Sequence, residues 1–596
     1  MHCRLMSNPS PGDTAPKPSA PWITGRALTV IILLLLAFRI AYSITKRFDS
    51  DEPQHLHVVW AWATGQLPYK DVFDNHAPLF QWLSAPLFML IGERSDINIP
   101  MRWAMIPLFF LSLFFVFRAG RVVLTPRAAW WAAVFGCLLP PFFKTSTEYR
   151  PDDLWALQWF IFLAVLVEGR ATPRRGLALG VLMGLTFSVS MKSTIFVISI
   201  GIAMLALLLI KCFDKSQRIP LLRLLKAGGL GLAGVVIAPA LIVAYFAAHH
   251  ALDDMYYCVI THNIVPHFKR WAHPTYEEPW YWLLCAFVLS GAFLIYRQAV
   301  PGGIRDRRFL LFLAPSLYTV VLFGVWPDIT REDDLPLYPL VPLALFILLA
   351  PLGEKIRPRI PKAVETALPW AVFAGLFINL LYLERPWNRE NRKQMAEIAM
   401  ILKMAKPGTY VMDAKAGAIF RPRPYYYVLE TVTRARLRMR ENTKMDNIIE
   451  RLVATRTPIV DPRQLIKSSD AAAFVTANYV PLARAEVIRV AGKVIANEPA
   501  PASEPVKFEV AVPARYTVLD DHHRVAGTLD GTPLEEAREL TPGEHTFVPA
   551  AAQSRLALVW AGAVDAGYYP AIRTEPAPAS AGDPSPADSR RPRRGR

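Results

Sequence analysis

Between positions 48 and 52 the chain reads Phe-Asp-Ser-Asp-Glu, which places three carboxylates, Asp49, Asp51 and Glu52, within four residues. Carboxylates this close raise one another's proton affinity, and an acid so raised can act as a general base near neutral pH. The competing explanation is that acidic residues favour the first turn of a helix, by a few tenths to about 1 kcal/mol. Cations of matching interest lie far along the chain. Arg150 sits in Glu148-Tyr149-Arg150-Pro151-Asp152, Lys192 stands alone, and Arg331 lies in Asp328-Ile329-Thr330-Arg331-Glu332-Asp333-Asp334. Fixed cations in a site of low dielectric stabilise charge developing on a leaving group. His76 and His262 are secondary candidates for that role. Each cation has an ordinary alternative: Arg150 paired with Asp152 or Asp153, Lys192 snorkelling to an interface, Arg331 solvated among its carboxylate neighbours. The histidines and the five scattered cysteines show no metal-ligand or disulfide spacing. No metal or cofactor is assigned, and a divalent cation requirement is left open.

The elements that must position these residues are apolar blocks. The chain has 596 residues, 53% of them hydrophobic and only 19% charged. That composition excludes intrinsic disorder. Residues 27–44 form the first block, long enough to cross about 30 Å of hydrocarbon at 1.5 Å per residue. No small-residue cleavage site follows, so it reads as a span rather than a signal peptide. Further blocks at 99–123, 128–143, 154–167, 176–189, 194–210, 227–248, 280–296, 309–326, 335–352 and 363–383 bring the expectation to about eleven transmembrane helices. Five alternate connections hold nineteen Lys and Arg, which exceeds the whole net charge of +17. By the positive-inside rule these loops and the N-terminus are cytoplasmic, and everything after residue 383 is outside. The charge therefore labels topology, and no nucleic-acid partner is implied. The opposite loops, 45–100, 144–153, 191–193, 249–279 and 327–334, collect the candidate residues. Within the first of them, 52–65 has helical apolar spacing at Leu56, Val59, Trp60 and Ala63, as in a helix lying on the membrane surface, with Pro53 in its first turn.

The order of these features resembles a known family. An acidic pair after the first span, the segment Gly65-Gln66-Leu67-Pro68-Tyr69-Lys70-Asp71-Val72-Phe73-Asp74-Asn75-His76-Ala77-Pro78-Leu79, and then Arg150-Pro151-Asp152 resemble the bacterial GT-C class of polytopic membrane glycosyltransferases. The resemblance is to relatives of protein mannosyltransferases and aminoarabinose transferases (glycosyltransferase family 39-like), over residues 26–386. It implies that Asp51 and Glu52 form the active-site motif, with Asp51 as general base and Glu52 orienting it or sharing the acceptor. Asp49, His76, Arg150, Asp152, Lys192 and Arg331 are the implied substrate-binding set. Where aminoarabinose transferases carry Glu-Lys-Pro, this chain has Asn75-His76-Ala77-Pro78, so that subfamily's sugar does not carry over. The implied donor is a polyprenyl-phosphate sugar, with an envelope lipid, glycan or protein as acceptor and membrane lipid around the site. The implied location is the bacterial inner membrane, with chemistry and C-terminal region on the periplasmic face.

Five regions are expected: a disordered N-terminus (1–25), the GT-C-like membrane domain (26–386), a periplasmic α/β domain (387–500), a small β-sandwich (501–571) and a disordered tail (572–596). Asp530-Gly531 and Pro542-Gly543 mark hairpin turns in the fourth. The rival function is a transporter or flippase of an envelope lipid or glycan. Transporters tend to place ionisable groups at the bilayer midplane on broken, repeated helices. Here the carboxylates sit at span ends, and no repeat is visible.

Overall fold

The computed structural model describes residues 25–213, 221–439, 445–467, 469–483, 485 and 487–571. The expected disordered N-terminus and tail lie outside the described residues, apart from Gly25. The chain forms two compact units: one of residues up to Ala399 with Tyr426–Thr443, the other of Met400–Tyr425 with the residues from Lys444.

The first unit is helical. It contains α1 (Gly25–Thr45), α2 (Glu52–Ala63), α3 (Leu79–Ile91), α4 (Asn98–Trp103), α5 (Ile106–Gly120), α6 (Pro126–Cys137), α7 (Pro140–Thr145), α8 (Pro151–Glu168) and α9 (Pro173–Phe187). It continues with α10 (Ser193–Phe213), α11 (Leu221–Ala248), α12 (Leu252–Tyr256), α13 (Pro279–Tyr296), α14 (Gly302–Val325), α15 (Leu340–Ile356) and α16 (Lys362–Glu384). Helix α17 (Arg392–Met404) follows, and α18 (Thr431–Leu437) returns to this unit. Among the described residues seven helical stretches are long and apolar enough to cross a membrane: α1, α4 with α5, α10, α11, α13, α14 and α16. The other four expected spans fall short in length or in apolar character. Pro140 separates α6 from α7, α8 opens on Asp152 and Asp153, and α9 and α15 have 15 and 17 residues.

Close packing has identifiable causes. Along α9, Gly176, Gly180 and Gly184 each press on an α11 carbonyl, and a Cβ at Gly180 would lie 1.9 Å from the Gly231 oxygen. Small residues of this kind let helix backbones approach where lipid removes the hydrophobic drive for association. Arg39, the single charge inside α1, neither snorkels nor reaches the candidate site. It is buried, donates from Nη1 to the Phe143 carbonyl at 3.2 Å and Ser146 Oγ at 3.0 Å, and lies 4.0 Å from the Phe109 ring centroid. It thereby satisfies carbonyls at the end of α7 that the helix itself leaves unpaired. Helix α2 has the expected start, with Pro53 in its first turn. It does not present an open surface face, since Leu56, Val58, Val59 and Ala61 are buried together with Gln54, His55 and His57.

Ion pairs sort by end. Arg118–Glu168, Lys211–Asp306 and Arg127–Glu365 join loops of the basic set to one another, whereas Lys46–Glu390 and Lys269–Asp328 join loops of the opposite set.

The second unit mixes α and β. Strands β1 (Val411–Met412), β2 (Ile459–Val460), β3 (Tyr479–Pro481), β4 (Arg489–Ala496), β5 (Val506–Val510) and β6 (Ala514–Asp520) accompany α19 (Ile448–Ala454) and α20 (Ser469–Asn478). The chain goes on through β7 (His523–Arg524), β8 (Gly527–Leu529), β9 (Thr532–Pro533), β10 (Arg538–Leu540), β11 (Gly543–Pro549), β12 (Leu556–Trp560) and α21 (Ala561–Asp565). One sheet runs β1-β2-β4-β12-β6-β10, with β3 on β4 and β7 on β6, and a second runs β5-β11-β8-β9. The boundary expected at residue 500 falls inside the first sheet, because β12 pairs with both β4 and β6. Asp530 and Gly531 have φ of 51° and 76° and join β8 to β9, as the hairpin reading requires. The turn at Pro542-Gly543 does not make a hairpin; it carries the chain from β10 in one sheet to β11 in the other.

Candidate functional site: an ion-pair cluster at the ends of the spans

The site is built on Glu52. Its side chain is fully buried and accepts four hydrogen bonds: from Arg102 Nε at 2.7 Å and Nη2 at 2.5 Å, from the Tyr149 amide at 2.8 Å and from the Asp49 amide at 2.7 Å. Arg102, equally buried on α4, also donates to the carbonyls of Ser43, Lys46 and Arg47. The turn between α1 and α2 is therefore clamped from both sides, and the turn before α8 is tied to it. A buried charge of this kind is tolerated only because every lone pair is met.

On that frame Asp49 and Asp51 converge on Arg150. Asp49 Oδ1 lies 2.8 Å from Arg150 Nη1 and Asp51 Oδ2 lies 3.1 Å from Nη2. Arg150 also meets Glu332 at 3.3 Å and Asp152 at 3.4 Å. Arg331 bonds Asp49 at 2.7 Å and both oxygens of Glu148 at 2.8 Å. Lys192 pairs with Asp333 and stands 3.7 Å from Asp152. Six of the eight residues singled out in the sequence, Asp49, Asp51, Arg150, Asp152, Lys192 and Arg331, thus form one continuous cluster, and Glu52 lies directly beneath it. Asp51 is the N-cap residue of α2, yet its side chain makes no capping bond and turns instead to Arg150. The more accessible members are Arg331, Asp51, Asp49 and Lys192, at 37%, 31%, 24% and 23% side-chain exposure, whereas Arg150 and Asp152 are buried. Burial, reinforced by Glu52 and Asp49, pushes the Glu148 carboxyl well above the usual range despite Arg331 and Arg150.

His76 belongs to an adjoining polar group. Its Nδ1 lies 2.8 Å from Asp74, a buried carboxylate that also takes a bond from Gln81. Burial opposes charge on His76, but Asp74, helped by Glu430 and Asp152, outweighs it and holds the imidazole above the ordinary 6.5. The His55 ring stands 4.8 Å away and is driven the other way, first by burial and then by His76 and Arg150. Glu430 reaches this group from the returning segment and accepts from Asn75 Nδ2 at 2.7 Å. His262 is no part of the cationic set: it is buried against Tyr427 and Phe73, bonds Thr433 Oγ1 at 3.1 Å, and burial followed by Arg436 pulls it down to about 3.

Arg102, Glu148, Glu332, Asp333, Asp74 and His55 escaped the sequence reading. The signal for Arg102 was present, an ionisable residue at the edge of an apolar block, where such residues tend to be functional or paired. Glu332 and Asp333 were visible only as solvating neighbours of Arg331.

Residues 75–243 match the family described as dolichyl-phosphate-mannose-protein mannosyltransferase. No curated protein sequence matches the chain. Among solved structures, ArnT from Cupriavidus metallidurans bound to undecaprenyl phosphate is similar with a TM-score of 0.50 at 13% identity, covering 78% of this chain and 98% of that one. ArnT in its apo state gives 0.49 at 13% identity over the same shares. The Archaeoglobus fulgidus oligosaccharyltransferase complex with Zn and sulfate gives 0.43 at 14%, covering 76% and 71%. The fold class is therefore that of the GT-C membrane glycosyltransferases. Within it the chain is similar to the protein mannosyltransferases over residues 75–243 and has the ArnT fold over most of its described length, the two relationships that its motif order implied.

Two outcomes follow from the geometry. Arg102→Ala leaves Glu52 buried and unpaired, and thermal or denaturant unfolding in detergent should show a loss of about 3–5 kcal/mol. Asp51→Asn, at a partly exposed pair, should change stability by less than about 1 kcal/mol. For His76, the raised folded-state value means that its stabilising contribution is complete below the unfolded value of 6.5 and is lost as pH rises through the folded one. The stability gap between wild type and His76→Gln should shrink as pH rises, and Asp74→Asn should flatten it; a gap constant with pH would contradict a protonated His76.

Proposed function

We propose that the chain is a membrane glycosyltransferase that moves a sugar from a polyprenyl-phosphate donor to a hydroxyl of a lipid, glycan or protein acceptor on the periplasmic face. The observation that carries this reading is the convergence of Asp49, Asp51, Arg150, Lys192 and Arg331 from separate loops at one end of a GT-C fold. Support for the donor class comes from the ArnT structure, which holds undecaprenyl phosphate. Bacterial inner-membrane placement, with the N-terminus cytoplasmic, rests on the basic loops.

In the proposed reaction the acceptor oxygen attacks the anomeric carbon while Asp51 takes the hydroxyl proton. The bond from that carbon to the phosphate oxygen breaks, and its electron pair leaves with the lipid phosphate. Arg331 and Lys192, the more accessible cations, are placed to receive that charge, with His76, its proton affinity raised by Asp74, in the adjoining polar group. Arg150 is fixed by five carboxylates and sets the direction of Asp51. Glu52 acts through position, holding the turn that carries Asp49 and Asp51.

The test supplies purified protein with radiolabelled polyprenyl-phosphate sugars and an envelope extract. Asp51→Asn should lower transfer by about 10²–10⁴-fold, the usual contribution of general acid–base catalysis, with little change in unfolding. Equal transfer by both proteins would remove Asp51 as the base. Absence of transfer with every donor would favour a transporter.

A further inference from the structure

A second basic site lies at the other end of the spans. A cavity of about 840 Å³ opens between α8, α9, α10, α11 and α14, within the range of roughly 300–1,000 Å³ common for ligand sites. Helix α8 begins beside Arg150, and the cavity, which it lines from Phe162 onward, therefore starts about 18 Å along the helix from Arg150 at about 1.5 Å per residue. The cavity walls are apolar, formed by side chains such as Met183, Ile200 and Leu207, while its rim carries Arg170, Arg223 and Arg307. Two further rim cations are already engaged: Lys211 pairs with Asp306 at 2.5 Å, and Arg175 Nε donates to the Val165 carbonyl at 2.8 Å. Among the described residues, Arg170, Arg223 and Arg307 have neither a carboxylate partner nor a side-chain hydrogen bond.

Three unneutralised guanidiniums at the mouth of an apolar chamber complement an amphiphile with an anionic head, and guanidinium suits phosphate in particular. The chamber walls belong to helices that meet hydrocarbon, which disfavours a small water-soluble anion as occupant. We propose that this cavity binds an acidic membrane phospholipid, its phosphate against Arg170, Arg223 and Arg307 and its acyl chains along α10 and α11. The cavity lies between two closely packed pairs, α9 with α11 and α10 with α14. The bound lipid adds to the direct contact that α9 and α10 already make between those pairs.

Native mass spectrometry of the full chain in neutral detergent tests this, with phosphatidylglycerol, phosphatidylcholine and inorganic phosphate as probes. Phosphatidylglycerol should bind more tightly than phosphatidylcholine, and inorganic phosphate should not compete. The triple variant Arg170→Gln, Arg223→Gln, Arg307→Gln should lose phosphatidylglycerol affinity on the order of 100-fold, from the usual worth of each basic residue at an anionic lipid surface. Arg121→Gln with Arg297→Gln, in the same set of loops but outside the cavity, should leave it unchanged. Leu232→Trp, which fills the chamber without touching charge, should weaken both lipids. Equal affinity for the two lipids, an unchanged triple variant, or displacement of phosphatidylglycerol by undecaprenyl phosphate at equal concentration would overturn the assignment.

Discussion

Glu52 is a charge with nowhere to go but its four donors. Two come from Arg102, one from the backbone before Arg150 and one from the backbone of Asp49. Moving an ion of this size out of water costs several kcal/mol even after relaxation, so the arrangement persists only while all four bonds hold. That requirement fixes the turn after α1, the start of α2, the position of α4 and the residue preceding Arg150 at once. Asp49 and Asp51 are consequently aimed by a neighbour whose own carboxylate oxygens are fully engaged.

Above this frame the cluster is short of positive charge. Asp49, Asp51, Glu148, Asp152, Glu332 and Asp333 surround Arg150, Lys192 and Arg331. Crowded carboxylates of this kind cannot all ionise freely, and Glu148, raised first by burial and then by Glu52 and Asp49, follows that rule. A donor phosphate entering the site would compete with carboxylates for Arg331 and Lys192, which links binding of the anion to the protonation of its neighbours. The same crowding explains why each cation has several partners and why pairwise contacts here say little about net stability.

Much of this could be read from the sequence, and for physical reasons. Apolar blocks and the alternation of basic loops expose spans and ends directly, because hydrocarbon admits few alternatives to helices. Asp49, Asp51, Arg150, Lys192 and Arg331 stood out because charge at span ends is costly to explain otherwise. Partnership was not legible. Nothing local pairs Arg102 with a residue fifty positions earlier, or brings Glu430 to Asn75 from beyond the last span. The sheet that crosses residue 500 was hidden for the same reason, since β12 joins strands that the Pro-rich stretch between them separates in sequence. Helices such as α8 and α9 fell between span and loop for different reasons, α8 because its 18 residues include Asp152, Asp153 and Glu168 and α9 because it has only 15 residues.

The central claim is a division of labour, with Asp51 handling the proton and the cations holding the lipid phosphate. Titration of purified wild type, Asp51→Asn and Arg331→Gln with undecaprenyl phosphate, read by ligand-induced thermal stabilisation beside a transfer assay, separates the two roles. The account predicts that Asp51→Asn loses transfer while binding the lipid phosphate at least as well as wild type, and that Arg331→Gln loses binding by about tenfold or more. Loss of binding and transfer together in Asp51→Asn, or undiminished binding in Arg331→Gln, would contradict it.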